Sequence, residues 1–260
     1  MIVYSKFNQG RLGNQLFFVA STMGIATKNN TEWGFTSQLG YNGIDYQAMF
    51  KNKLPITSLV PEQKYHQDGF GYYDINIDNV ELIGYFQSEK YFLNCESKVR
   101  EQFEFNDDIK KYVIEKYPQI QESLSVHIRR GDYVQQPNHH PLIPLSYYKN
   151  ILNEISENYN NIFIFSDDIN WVKENFIDSK FIFPYFENNN DINSFVLLSQ
   201  SKDFVIPNST YSWWAAWLNN NKEKKVYTPN NKHWFGPSLS HLNTTDLIPK
   251  SWIIYNDYES

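Results

Sequence analysis

The run Leu124–Tyr133, LSVHIRRGDY, decides how this chain is read. Apolar and polar residues alternate until the run breaks into two arginines, a glycine and an aspartate. The alternation predicts a buried strand, with Leu124, Val126 and Ile128 on one face and Ser125, His127 and Arg129 on the other. Arg130 falls on the Val126 and Ile128 side, which suits bracing the turn, against Asp132, better than a purely catalytic role. Open α/β sheets bind ligands beyond the carboxyl ends of their strands, where Arg129, Gly131 and Asp132 would stand. An ion pair with Asp132 would account for one arginine. Two adjacent arginines with a histidine on the same face point to an anionic ligand, because guanidinium forks match phosphate oxygens.

Outward from this run, the second half alternates strand and helix. Strands are predicted at 124–128, 162–165, 181–183, 203–206 and 225–227, and helices near 146–157, 170–176, 192–199 and 211–218. Such alternation implies a parallel sheet covered on both faces. In the first half, Ile2–Tyr4 predicts a strand, and Gly10-Arg-Leu-Gly-Asn-Gln a turn leading into a helix from about Leu16 to Thr27. The Gly10 and Gly13 spacing is not the GxGxxG of a dinucleotide site, so Glu32 is a poor ribose ligand and a plain tight turn is the alternative. From Trp33 to Asn79 no clean period predicts an element. Val80–Gln87 reads as a strand; Ser88 caps a following helix that carries Tyr91 and Phe92 inward, while Gln87 and Glu89 are candidates to reach a sugar. Apolar spacing then predicts two helices ending at Pro118, which sets two halves, 1–118 and 119–260, with Trp252-Ile-Ile-Tyr returning to pack on the body.

Composition excludes several classes. A net charge of −6 and a pI near 5.5 argue against nucleic acid or an anionic membrane as the main partner, so the arginine cluster is local. The single cysteine, Cys95, rules out an internal disulfide and a cysteine zinc site and suits a reducing compartment. No apolar run approaches the roughly 20 residues of a membrane span, and Met1-Ile-Val-Tyr is unlike a signal peptide. The asparagine patches at 188–190 and 219–221 are expected at loop tips. The aromatic content, 17%, fits both carbohydrate recognition and an aromatic-rich core.

HIRRGDY resembles the signature of the α-1,2-fucosyltransferases of glycosyltransferase family 11 and of the wider fucosyltransferase superfamily. Three further stretches agree in order: GRLGNQLF at Gly10–Phe17, YFQSEKYF at Tyr85–Phe92 and NSTYSWWAAWL at Asn208–Leu218. Four motifs in register are specific where one would be weak. The resemblance implies an α/β, GT-B-like fold of two Rossmann-like halves with a cleft between them, the acceptor on the first half and the nucleotide on the second. It implies an inverting, metal-independent transfer of L-fucose from GDP-fucose to the 2-hydroxyl of a galactose-terminated oligosaccharide, with no cofactor. The family's animal members carry a membrane anchor; the expectation here is a cytoplasmic microbial or viral form, at most peripheral to a membrane.

The same resemblance assigns roles. Asp203 and His127 would contact the guanine, Arg129 the β-phosphate, and Ser209, Thr210 and Ser212 the diphosphate oxygens, with Arg130, Asn208, Gly13 and Asn14 completing the donor set. Asn14 and Gln15 would offer amides at the cleft. Ser209 and Thr210 also stand where a helix exposes unsatisfied amides that favour an anion, although an ordinary helix cap is an equal reading. Asp167 and Asp168 can together hold a metal, or Asp168 can cap the next helix, and capping fits a family in which arginine replaces the cation. Trp213, Trp214 and Trp217 belong to the core rather than a sugar platform. Arg129 would stabilise the departing diphosphate. For the general base, Asp132, His139, His140, Glu89 and Asp246 stay open, with Asp132 placed beside Arg129 as a catalytic residue. His233–Asp246 reads as a surface loop that can touch the acceptor. A transferase for another GDP-sugar or linkage, and a non-catalytic sugar-binding module, are the alternatives.

Overall fold

The first strand, β1 (Ile2–Tyr4), has no exposed residue, which a strand achieves only in a sheet covered on both faces. The computed structural model describes residues 1–188 and 190–258; Asn189, within one expected loop tip, lies outside them. Two units emerge: Met1–Asn106 with Leu242–Pro249, and Asp107–His241 with Lys250–Ser260.

In the first unit β1 is followed by α1 (Leu12–Lys28), β2 (Trp33–Phe35), β3 (Lys64–His66), β4 (Val80–Ile83) and α2 (Glu96–Gln102). The strands form one parallel sheet in the order β2-β1-β4-β3. Helix α1 begins at Leu12, not Leu16, so Gly13 and Asn14 belong to its first turn rather than to a loop. It is buried on nearly every side, with Leu16, Phe17, Phe18 and Ala20 at no more than 1% exposure. β2 and β3 lie in the stretch where no period was legible.

The second unit opens with α3 (Asp107–Lys116), then β5 (Leu124–Ile128), α4 (Leu145–Ile155), β6 (Ile162–Ser166), α5 (Ile169–Asn175), β7 (Phe181–Ile182), α6 (Asn190–Leu198), β8 (Asp203–Val205), α7 (Thr210–Leu218), β9 (Val226–Pro229) and β10 (Ile253–Tyr255). α3 falls in this unit, where it meets α6, rather than closing the first half. All six strands are parallel in the order β10-β9-β8-β5-β6-β7. β5 is central and buried throughout, so both of its faces are core and its apolar and polar residues do not divide inside from outside. Leu124, Val126, Ile128, Tyr147, Ile151, Ile162 and Ile164 build that core.

The C-terminal residues do not return to the first unit. Ile253–Tyr255 pairs with β9, and the Tyr255 hydroxyl donates to Glu154 at 2.5 Å. Leu242–Pro249 goes to the first unit instead, where the Phe70 amide donates to the Asn243 carbonyl and the Tyr72 amide to Asp246 Oδ2. The expected surface loop at 233–246 is therefore divided, and Trp234 within it is buried. The tryptophans of α7 are buried as expected, with Trp213 against Trp252 at 5.3 Å.

Candidate active site

The strand order puts a topological switch point between β5 and β8. From β5 the chain winds outward through β6 to β7, and from β8 the other way through β9 to β10. The crevice beyond the carboxyl ends of two such strands is where α/β sheets hold ligands. β5 is followed there by Arg129-Arg130-Gly131, and the segment after β8 brings Ser209 and the start of α7 to the same end.

The arginines arrive already paired. Arg129 bonds Asp132, and its Nη1 lies 2.7 Å from Asp167 Oδ2. Asp167 Oδ1 also accepts from the amides of Arg130, at 2.9 Å, and Gly131, at 3.2 Å. A side chain on Gly131 would run into the Asp167 carboxylate, so the glycine is what lets that group sit against the turn. Arg130 pairs with Asp168 at 3.0 Å and lies over the Trp171 ring, 3.9 Å from its centroid. It braces the turn as expected, but against Asp168 rather than Asp132. Asp168 caps α5 by accepting from the Trp171 amide. The anions gathered around the arginines are thus Asp132, Asp167 and Asp168. The pair of arginines by itself did not require an external anion.

Around this charged cluster lie polar atoms that the protein leaves unsatisfied. His127 is buried, its Nδ1 has no partner, and its ring lies 5.4 Å from Tyr211. Burial, and then the Arg129 charge, push its pKa down to about 3, so it is neutral. The Tyr148 hydroxyl is buried without a partner, its pKa raised by burial and by the Asp167 charge. His140 stacks on Tyr133 at 4.7 Å, with a buried, unpartnered Nδ1. Ser209 heads α7 with extended backbone and no side-chain cap, so the amides of Thr210, Tyr211 and Ser212 open the helix. Buried polar atoms without partners are uncommon in folded proteins and gather where a ligand or water completes them.

The model of the family described as "Glycosyl transferase family 11" matches residues 73–252. The chain belongs to this family. Among its relatives, the Escherichia coli α-1,2-colitosyltransferase is 37% identical over 67% of this chain and 62% of its own length. The O-antigen biosynthesis glycosyltransferase WbnK of Escherichia coli is 31% identical over 66% and 59%. Galactoside α-(1,2)-fucosyltransferase 2 of Pongo pygmaeus is 25% identical over 80% and 67%. The chain thus spans about three fifths of the length of the two bacterial relatives. In structure it resembles the fucosyltransferase NodZ from Bradyrhizobium (TM-score 0.54, 11% identity, 82% of this chain and 91% of the other). It also resembles POFUT1 (TM-score 0.52, 10% identity, 87% and 97%). Shared with these fucosyltransferases is an α/β, GT-B-like fold with parallel sheets.

Not every residue expected to serve a family 11 site stands at this end of the sheet. Asp203 pairs in register with Leu124, at the start of both strands, so it is about 10 Å of strand away from His127. Its carboxylate accepts from the Tyr159 hydroxyl at 2.6 Å and the Lys225 amide at 2.5 Å, beside a cavity of about 350 Å³ that Lys202 and Tyr227 also line. Asn208 is a clamp: its Nδ2 donates to the carbonyls of Pro141, His233 and Trp234. Ser212 is fully buried and donates to the Ser209 carbonyl. In the first unit, Gln15 is structural, holding the carbonyls of Phe7, Gly10 and Gly40. Gln87 Nε2 donates to Asn14 Oδ1 at 3.0 Å. Ser88 caps its turn, and Asp246 is held by Lys90 and the Tyr72 amide. The sequence offers Asp167 only as half of a metal-binding pair and does not show its grip on the arginine turn; the signal is its place one residue past the end of the strand beside β5.

Proposed function

We propose that this chain transfers L-fucose from GDP-fucose to the 2-hydroxyl of a terminal galactoside, with inversion at the anomeric carbon. The observation that carries the reading is Arg129 at the switch point of a family 11 chain, at the end of the sheet where α7 begins. Two relatives are named for α-1,2 transfer, one of a colitosyl and one of a fucosyl group, and this supports the linkage. GDP-fucose as donor draws support from NodZ and POFUT1, whose structures were solved with it.

In the reaction the acceptor oxygen attacks the anomeric carbon as the bond to the diphosphate breaks, and negative charge collects on GDP. Arg129 and the α7 amides stabilise that charge, which is greater in the transition state than in the bound donor. His127, kept neutral, offers a ring nitrogen rather than a second cation. Asp203 has no part in it: its carboxylate is spent at the far end of the sheet. Gly13 and Asn14 stand in the first turn of α1, and a role for them in binding the donor is part of the proposal.

The test is GDP release with GDP-fucose and a panel of galactosides, with and without EDTA. GDP that appears only with a galactose-terminated acceptor and survives EDTA supports the reading, and GDP release with no acceptor in the panel overturns the galactoside. The 37% identity to a colitosyltransferase supports a second reading, transfer of a sugar lacking the fucose 3-hydroxyl. Faster turnover of GDP-colitose than of GDP-fucose would favour it.

A further inference from the structure

Arg129, Tyr133, His140 and Phe235 form a column. The Arg129 guanidinium carbon lies 5.3 Å from the Tyr133 centroid, and the His140 ring stacks on Tyr133 at 4.7 Å with planes 14° apart. Phe235 follows at 5.9 Å. The column is fixed at both sides. The Tyr133 hydroxyl donates to the Asn208 carbonyl at 3.1 Å, the His140 amide to Gln136 at 2.9 Å and the Gly236 amide to His139 at 2.8 Å. Yet the His140 Nδ1 it buries has no partner. A neutral imidazole carries one N–H and one lone pair, and a bond at one nitrogen decides which the other presents.

The missing partner stands next along the chain from Tyr133. Asp132 lies on the turn Gly131–Gln135 with its side chain 40% exposed, and its carboxylate is engaged by Arg129. That same guanidinium is shared with Asp167. A diphosphate arriving at Arg129 would make three anionic groups on one cation. Asp167 is tied by the Arg130 and Gly131 amides and is the less exposed of the two, whereas the Asp132 side chain stands 40% exposed on its turn, so Asp132 is the carboxylate with room to swing away.

The geometry points to His140 as the general base of the transfer, completed by Asp132 when the donor diphosphate takes Arg129. The inference rests on the diphosphate reading proposed above. Asp132 then accepts from Nδ1–H, leaving the Nε2 lone pair for the acceptor hydroxyl. The acceptor O–H bond breaks as its proton passes to Nε2. The oxygen pair forms the new bond to the anomeric carbon, the electron pair of the broken bond leaves with GDP, and the imidazolium later releases its proton to water. Arg129 from β5, Asp132 and Tyr133 from the turn, and His139 beside it are the titratable and charged groups that face His140. In the unliganded protein burial depresses its pKa, against the pull of Asp132. Donor binding, by neutralising Arg129 and turning Asp132 toward the ring, raises it.

The decisive experiment follows the histidine side chains of the full chain, labelled with nitrogen-15, through a GDP titration, with His140→Gln assigning the signal. GDP binding should raise the His140 pKa and hold the proton on Nδ1, and Asp132→Asn should abolish both changes. With GDP-fucose and a galactoside, His140→Gln should transfer about 100-fold more slowly or worse, with GDP affinity within about threefold of wild type. If GDP binds and the His140 signal does not change, or His140→Gln transfers within about threefold of wild type, the inference is wrong. A parallel loss of GDP affinity in His140→Gln would make the residue a packing element and overturn it too. If GDP does not bind at all, the diphosphate reading fails first and this inference falls with it.

Discussion

The second unit's sheet has a polar cluster at each end, buried at the strand starts and half-buried at the strand ends, and the two differ in how far the protein satisfies them. At the strand starts, both Asp203 oxygens are bonded, one by Tyr159 and one by the Lys225 amide. At the strand ends, Arg129 and Arg130 are saturated with carboxylates while His127 Nδ1, His140 Nδ1 and the Tyr148 hydroxyl are buried alone. A closed network holds a fold together. An open one in a charged crevice is unfinished until something binds.

The largest effect should come from Arg129→Ala. It removes the cation at the unfinished end, and turnover of GDP-fucose should fall about a thousandfold, the scale seen when one charge-stabilising donor is removed from a preorganised site. Calorimetry with GDP should show weakened binding alongside. If turnover survives, the charged crevice is a structural ion-pair network after all, and the contrast between the two ends collapses.

Asp203→Ala tests the other end. It strands a buried tyrosine hydroxyl and a backbone amide, each costing about 1–3 kcal/mol, so urea unfolding should show a large loss of stability. GDP affinity should stay within about twofold, because the satisfied cluster has no share in the ligand. A tenfold loss of affinity in a variant that still folds would mean that the nucleotide reaches across the sheet.

The position of Asp203 was legible in principle. It begins an apolar run, whereas Arg129 ends one, and in a parallel sheet a strand's start and a neighbour's end lie on opposite edges. The second half as a whole could be read because its strands and helices are buried by period. The stretch from Trp33 to Asn79 could not, because its buried apolar residues, such as Phe35, Leu39, Met49, Leu54 and Phe70, follow no regular period and its turns are tied by glutamine side chains. Gln38 both donates to the Leu54 carbonyl and accepts from its amide, Gln47 donates to Asn52, and Gln67 accepts from the amides of Tyr85 and Phe86. That last pair of bonds supports Phe86 at a φ of +50°, a conformation no local pattern predicts. The arginine turn was recognised with Asp132 beside it, but its other two carboxylate partners, Asp167 and Asp168, follow β6, far off in sequence. His140 stood among five candidate bases without a means to choose; the Tyr133 stack is a tertiary fact.

A smaller effect separates the ends by pH. His127 has a pKa of about 3 in the folded protein, against about 6.5 for an exposed histidine, so between those values the unfolded chain binds the additional proton. Its contribution is whole above about pH 6.5 and is lost as the pH falls toward 3, by about 1.4 kcal/mol per unit. Stability measured at pH 6 and pH 5 should therefore differ more in wild type than in His127→Gln, by about that amount. Equal slopes would mean that His127 is reached by water in the folded protein. Added GDP should steepen nothing if the ring stays neutral on binding.

The smallest effect distinguishes the two arginines. Arg130 pairs with Asp168 and covers Trp171, contacts that Arg130→Lys keeps in charge but loses in shape, since an ammonium neither forks nor stacks as a guanidinium does. The expected cost is about 1 kcal/mol of stability, with turnover within about threefold, because the brace still stands and Arg129 is untouched. Arg129→Lys, judged by the same assay, should lose far more, since its two bonds to Asp132 and Asp167 and its proposed grip on a diphosphate all depend on the fork. Equal losses in the two lysine variants would mean that the turn acts as one rigid block, and that what the donor needs from this sequence is its shape rather than one guanidinium.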